Sequence, residues 1–378
     1  MIHRLRDRVL QMLMRRWADK RPARPFALSA MEEVRRILLM TTTAIGDTLF
    51  STPAIRAVKE TYPDKEVQVL CHQRNALLLR ENPHIDRLHL YRGKTRGLRS
   101  LVRRLRDQHF DLVVILHSND PEAVPLAWST RAPYLIGSGT SRFAAFLSQD
   151  LVCRDAHRHA IEQRLDLVRA VGAETADRGM DFFLPAGWEP QARGVLNDFW
   201  GSGVQPVIGL HPTGSGSYKW WPADYFVDLG NRLFDRYGCR FILFSSKSET
   251  PAAQAIASRL RAPVLSTEGR FDLAVTGGLI RSCSLFIAND SGPLHMALAL
   301  RVPTLALIGA DSPRRIGPYQ SGNSVSLYRK EEVCDLPRCL NEKCGDNRCL
   351  RQIRPDEVLK VIGEQFEEFL SNRDRGKY

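Results

Sequence analysis

The sequence predicts an α/β protein built as two doubly wound parallel sheets. Three observations carry that reading. Short β-branched runs alternate with amphipathic helical patterns from residue 35 onward, and the alternation breaks at Pro185–Gly187 before it restarts. The third is length, since 378 residues is enough for about two domains. Charged residues at 25% and hydrophobic residues at 43% exclude a mostly disordered chain, a fibre and a coiled coil. No run approaches the roughly 18 apolar residues of a membrane-spanning helix.

In chain order, the first half offers strands at Ile37–Thr41, Val67–His72, Leu88–Tyr91, Leu112–Leu116 and Tyr134–Gly137. Pro53 to Thr61 reads as an amphipathic helix between the first two, the βαβ pattern of a parallel sheet. Asp181–Leu184 is expected as the last strand of this half, and Glu189–Trp200 as a helix. The second half offers strands at Val207–Leu210, Arg240–Phe244, Leu285–Ala288 and Thr304–Ile308. Helical patterns at Tyr225–Arg236, Pro251–Leu260 and Leu294–Leu300 intervene, and Pro355–Leu370 adds one helix after the sheet. The expected division is an N-terminal arm over 1–30, domains over 31–187 and 188–350, and a helix and tail over 351–378. Ligands of such sheets bind beyond the carboxyl ends of the strands.

Positive charge is uneven along the chain. Met1 to Arg24 holds eight basic residues against Asp7 and Asp19, half of the net charge of +12. Ile2, Leu5, Val9, Met12, Leu13 and Trp17 recur there at helical spacing, so this arm suits an anionic membrane surface or a helix packed on its own domain. It has no unbroken apolar core and no small-residue cleavage site, so it does not read as a secretory signal. The expectation is a cytoplasmic protein, peripheral on the inner membrane through residues 1–24, with its eight cysteines mostly reduced. A second basic cluster, Arg87 to Arg106, contains eight basic residues and no acid. Its middle, Gly93 to Gly97, reads as a loop, and Leu98, Leu101, Val102 and Leu105 give the rest a helical face. No aromatic interleaving or zinc-finger spacing accompanies it, so nucleic acid is not an expected partner. A solvated helix, an acidic lipid or a phosphorylated acceptor each fit it.

Three strand-to-helix turns carry candidate chemistry. The first is Thr41 to Thr48, where Thr43, Gly46 and Asp47 sit near free helix N–H groups. It matches neither G-x-G-x-x-G nor a P-loop, and Asp47 alone is explained by helix capping. The second is Leu210 to Pro222, where Thr213 and a glycine-serine stretch precede Lys219 and Trp220-Trp221-Pro222. Small residues permit close backbone approach and Lys219 supplies a point charge, which suits a diphosphate. The third is Ala288 to Ala297, where Asp290 or Ser291 caps a helix that opens on Gly292 and Pro293, with His295 close by.

Together these segments resemble glycosyltransferase family 9, the heptosyltransferase-type enzymes, over roughly residues 35 to 365. The resemblance rests on Ile37 to Pro63 (ILLMTTTAIGDTLFSTPAIRAVKETYP), His211 to Pro222 (HPTGSGSYKWWP) and Asn289 to Gly309 (NDSGPLHMALALRVPTLALIG). It implies the GT-B architecture, two facing Rossmann-like domains with a cleft between them. It also implies inverting transfer of a heptose from ADP-heptose to a lipopolysaccharide core or similar glycolipid, with no cofactor and no metal. On this resemblance Asp47 is the general base. Lys219 contacts donor phosphate, and Asp290 contacts the sugar. Ser291, Gly292 and His295 line the diphosphate, Thr213 belongs to the donor turn, and Glu249 holds the nucleoside. A nucleotide-sugar epimerase of the same fold and a degenerate basic membrane- or nucleic-acid-binding protein are the alternatives. The three motifs argue against the first, and the intact set Asp47, Lys219 and Asp290 against the second.

Cys334, Cys339, Cys344 and Cys349 recur at intervals of five, which is not a standard zinc spacing, though zinc or an iron–sulfur centre remains open. Cys71, Cys153, Cys239 and Cys283 fall in or near strand-like runs and are expected as small core residues.

Overall fold

The computed structural model describes residues 24–371 apart from 94–96, 118–121, 139–142, 156, 204, 336–338, 340–343 and 345. The expected basic helix before Arg24 and the middle of the loop between Gly93 and Gly97 therefore lie outside the described residues. The chain divides into two units between Asp181 and Phe182, a few residues before the expected boundary. Among the described residues no helix is long and apolar enough to cross a membrane.

The first unit holds a six-stranded sheet of β1 (Arg36–Thr41), β2 (Glu66–His72), β3 (Arg87–Tyr91), β4 (Leu112–Ile115), β5 (Tyr134–Gly137) and β6 (Gln149–Asp150), in the order β3-β2-β1-β4-β5-β6. Every pairing is parallel, with Ile37 opposite both Val67 and Leu112. Parallel sheets covered on both faces need continuous apolar strands, and Ile37 to Met40 accordingly have no exposed surface.

The five expected strands form, but Asp181–Leu184 is not a strand. The Asp181 N–H is taken instead by the Thr52 hydroxyl at 2.8 Å, and its carboxylate by Arg56 at 2.5 Å. Both partners lie on the helix Thr52–Thr61, so the segment is anchored by a helix rather than by a strand edge. Arg56 and Asp181 are 6% and 8% exposed. Burial pushes the Asp181 carboxyl up against the opposing pull of Arg56. Arg56→Leu strands this carboxylate, and such losses cost about 3–5 kcal/mol. Urea unfolding should show that drop, and a change below about 1 kcal/mol would contradict the assignment.

The second unit repeats the winding with β7 (Val207–His211), β8 (Arg240–Leu243), β9 (Val264–Ser266), β10 (Leu285–Asn289), β11 (Thr304–Ile308) and β12 (Ser324–Tyr328). Its order is β12-β11-β10-β7-β8-β9, again all parallel. Strands β9 and β12 are edge strands that the sequence reading lacks. The first has three residues, and the second, SVSLY, is mostly half-buried, so neither shows a continuous apolar run. The expected terminal helix breaks at Phe366 into Pro355–Gln365 and Glu367–Ser371. Val358, Ile362, Phe366 and Leu370 pack into the same core as Trp221 and Phe226, so these helices are part of the second unit.

Cys71, Cys239 and Cys283 are buried as expected, but Cys153 is exposed within the irregular stretch that follows β6, where proximity to a short strand does not imply burial. Burial pushes the Cys71 and Cys239 thiols up to about 12, which keeps them unreactive.

Candidate functional site

Both sheets wind outward from a central pair of strands, β1 and β4 in one, β7 and β10 in the other. The crevice at such a switch point, beyond the carboxyl ends of the strands, is where doubly wound sheets take ligands. The candidate residues lie there in each unit. Asp47 follows β1, Lys219 follows β7, and Asp290 and Ser291 follow β10.

In the first unit β1 leads through Thr42 and Thr43 into the helix Ile45–Phe50. The helix N-cap is Ala44, with no side-chain capping bond, so Asp47 does not cap it. Asp47 instead sits in its first turn, half-buried, where its Oδ2 accepts from the Thr43 hydroxyl at 3.0 Å. Its Oδ1 accepts from Arg164 Nη2 at 2.8 Å. Arg164 is 5% exposed, anchored to the Ala160 carbonyl and stacked over Phe50. It projects from the otherwise apolar buried face of the helix Ala160–Arg169. That lone basic residue among Ala160, Ile161, Leu165 and Val168 was the available sequence signal, and it was missed.

Two more unpredicted residues shape the turn. Asn75 donates to the Thr43 carbonyl and the Thr48 hydroxyl, each at 2.8 Å. His117, just beyond β4, accepts the Thr42 N–H through Nε2 at 2.9 Å, which places an acceptor nitrogen there. Gly46 lies in the helical first turn beside Asp47.

In the second unit Asn289 ties two of the turns together. Its side chain donates to the Pro212 carbonyl at 2.7 Å and accepts the Trp221 N–H at 3.1 Å. The Trp221 indole, 1% exposed, donates to the Ile353 carbonyl, and Trp220 donates to the Gly214 carbonyl. A Cβ on Gly214 would lie 3.3 Å from the Asp290 carbonyl oxygen, so the loop approaches β10 closely.

Lys219 Nζ lies 2.6 Å from Asp290 Oδ2, and His295 Nε2 lies 3.7 Å from Oδ1. Burial would raise the Asp290 carboxyl, but the neighbouring His295 imidazole and Lys219 ammonium outweigh it and hold it at about 2. Lys219 is likewise raised, burial opposing and Asp290 prevailing. The expected lysine is therefore paired with the expected carboxylate. An ammonium has three donors, and this pair uses one.

Ser291 is the N-cap of the helix Gly292–Ala299, yet its side chain makes no capping bond. Its hydroxyl oxygen is buried with no hydrogen-bond partner among the described residues. An unsatisfied buried hydroxyl costs about 1–3 kcal/mol, and beside a helix N-terminus and a lysine this one is able to donate to an acceptor-rich anion.

Thr213, 1% exposed, approaches His211 Nε2 at 3.5 Å. Glu249 closes the turn after β8 by accepting the Ser246 N–H and hydroxyl at 2.8 and 2.6 Å. Burial raises the Glu249 carboxyl, but its bonds from Ser246 and the charge of His211 hold it low. Glu249 thus shapes the strand-end turn.

Among the described residues no three His, Cys, Asp or Glu side chains gather as a metal site, and the eight cysteines are free thiols. A cavity of about 820 Å³ opens near Val207, Ser284 and Pro303, at the amino ends of the second sheet, the wrong end of the strands for this chemistry.

The family model of glycosyltransferase family 9 (heptosyltransferase) matches residues 98–343, more than half of the chain. That stretch contains Lys219, Asp290 and Ser291 and begins after Asp47. Lipopolysaccharide heptosyltransferase 3 of Escherichia coli is 27% identical over 296 residues, 75% of this chain and 86% of that protein. Among solved structures, a glycosyl transferase family 9 protein from Veillonella parvula superposes with a TM-score of 0.79 at 24% identity, over 88% of this chain and 98% of that one. E. coli ADP-heptose lps heptosyltransferase II superposes with a TM-score of 0.72 at 22% identity, over 88% and 99%. These structural likenesses are likenesses of fold.

Proposed function

The chain belongs to glycosyltransferase family 9, the heptosyltransferase family, and we propose that it moves a heptose from ADP-heptose to a lipopolysaccharide core or similar glycolipid, with inversion. The observation that carries the donor assignment is the anion cradle at the β7–β10 switch point. It comprises the Lys219 ammonium, the first-turn N–H groups of Gly292–Ala299 and the partnerless Ser291 hydroxyl. The name of the E. coli structural neighbour, an ADP-heptose enzyme, supports the choice of nucleotide.

In this reading Asp47 takes the proton of the acceptor hydroxyl as its oxygen bonds to the anomeric carbon. The bond from that carbon to the diphosphate breaks, and its electron pair stays on the phosphate oxygen. Lys219 and the helix N–H groups stabilise the charge that grows there. Arg164 and Thr43 hold the Asp47 carboxylate in place, and Asp290 orients Lys219 and meets the sugar. Thr213, Gly292 and His295 complete the donor side, Glu249 takes the nucleoside, and Thr43 and Gly46 form the acceptor-side turn. No metal or cofactor takes part in these steps. The basic arm over residues 1–24 would keep the enzyme on the cytoplasmic face of the membrane that carries its acceptor.

Thermal shift tests the donor. A ligand at 100 times its Kd stabilises by about 2.7 kcal/mol. ADP should raise Tm while UDP and NAD leave it unchanged, and Ser291→Ala should shrink the ADP shift. Stabilisation by UDP or NAD in place of ADP would sink the donor assignment.

A further inference from the structure

The basic cluster of the first unit has no part in the chemistry above, and the structure gives it a cavity. About 650 Å³ of space lies along the edge strand β3 and the helix Leu98–Arg106, lined by Arg87, Arg92 and Arg104 together with His89, Ser100 and Asp107. Three guanidiniums thus meet one carboxylate. The helix also carries Arg99, Arg103 and Arg106, which do not line the cavity, and no acid appears within it.

The wall behind this space is built rather than incidental. Gln68, fully buried, holds His89, which is 8% exposed, through its side-chain oxygen. The Gln68 amide nitrogen donates to Glu66 at 2.7 Å, and Arg87 donates to Gln108 at 2.8 Å. Arg104 is steadied by Ser100 at 3.1 Å. Arg92 makes no ion pair among the described residues. Burial and the adjacent Arg87 and Arg104 push His89 down to about 4, so the ring adds no charge at neutral pH.

We propose that this cavity binds a phosphate group, with Arg87, Arg92 and Arg104 donating charge-assisted hydrogen bonds to its oxygens. The volume falls within the roughly 300–1,000 Å³ of small-ligand sites, which leaves room for a sugar or headgroup bonded to the phosphate. Two sources share that chemistry, a phosphorylated saccharide and a phospholipid headgroup. The site's place in glycolipid transfer rests on the function proposed above; the binding itself does not.

The test uses the full chain and reads binding rather than turnover, so failure of the donor assignment leaves it intact. Calorimetry with glucose 1-phosphate and flotation with phosphatidylglycerol or phosphatidylcholine vesicles form the two arms. Arg92→Glu with Arg104→Glu should weaken binding at least tenfold in the arm that binds. Arg351→Glu with Lys360→Glu makes the same charge change at exposed positions of the second unit and should leave affinity unchanged. Loss confined to the cavity variant supports the site, glucose 1-phosphate identifying a saccharide phosphate and phosphatidylglycerol alone a headgroup. Equal losses in the two variants, retained affinity in the cavity variant, or no binding by the unaltered chain in either arm would overturn the proposal.

Discussion

Asp47→Asn is expected to lower kcat by about 10²–10⁴-fold, the usual contribution of a positioned general base, while ADP affinity changes by less than a few-fold. The amide keeps the shape of the carboxylate and still accepts through one oxygen, so the turn should survive. It cannot take the acceptor proton. Because Arg164 binds one carboxylate oxygen at 2.8 Å and the Thr43 hydroxyl the other at 3.0 Å, the Asp47 carboxylate is held in one rotamer by donors on two elements. Arg164→Lys should retain the charge but lose the planar fork, lowering kcat and displacing its pH profile while KM for the donor stays put. A merely structural arginine would leave that profile where it was. Single-turnover assays with radiolabelled donor, alongside ADP titrations, decide the matter. If Asp47→Asn turns over within a few-fold of the unaltered enzyme, the proton goes elsewhere and the mechanism is wrong.

The parallel sheets were legible because buried parallel strands must be apolar throughout, and runs such as ILLM after Arg36 or LFIA before Asn289 admit few other readings. Edge strands escaped for the converse reason: Ser324–Tyr328 is half-solvated and carries two serines. Extended chain is also not the same as paired chain. Asp181–Leu184 has strand-like residues, but its hydrogen bonds go to the helix Thr52–Thr61, a tertiary preference that no local pattern records. At the site, the motif residues followed from their position in strand-to-helix turns, where N–H groups are free. The residues that hold them did not. Arg164 and Asn75 lie 117 and 32 positions from the groups they position, and nothing in their own neighbourhoods says what they will meet. The partnership of Lys219 with Asp290, 71 positions apart, was hidden in the same way, although each residue had been singled out alone.

That partnership sharpens the second large effect. Lys219→Ala should lower kcat as well as raise KM for the donor. Charge on the leaving phosphate oxygen is greater in the transition state than in the bound donor, so an ammonium placed there stabilises the former more. The same substitution removes the main cationic neighbour of a carboxylate that is 8% exposed. In the unaltered protein Asp290 is held at about 2, below the ordinary carboxylate value near 3.9. A depressed folded-state pKa contributes stability above the unfolded value, and that contribution is lost as pH falls towards about 2. Without Lys219 the depression shrinks, so the acid limb of a Tm-against-pH curve should move to higher pH. Lys219→Arg should restore that limb more fully than it restores kcat, since the charge returns but the compact ammonium does not. The two readouts separate the roles of the lysine. A shifted acid limb with normal kcat would make Lys219 a partner for Asp290 and nothing more, and would send the search for the diphosphate ligand to the Ser291 hydroxyl and the helix it begins.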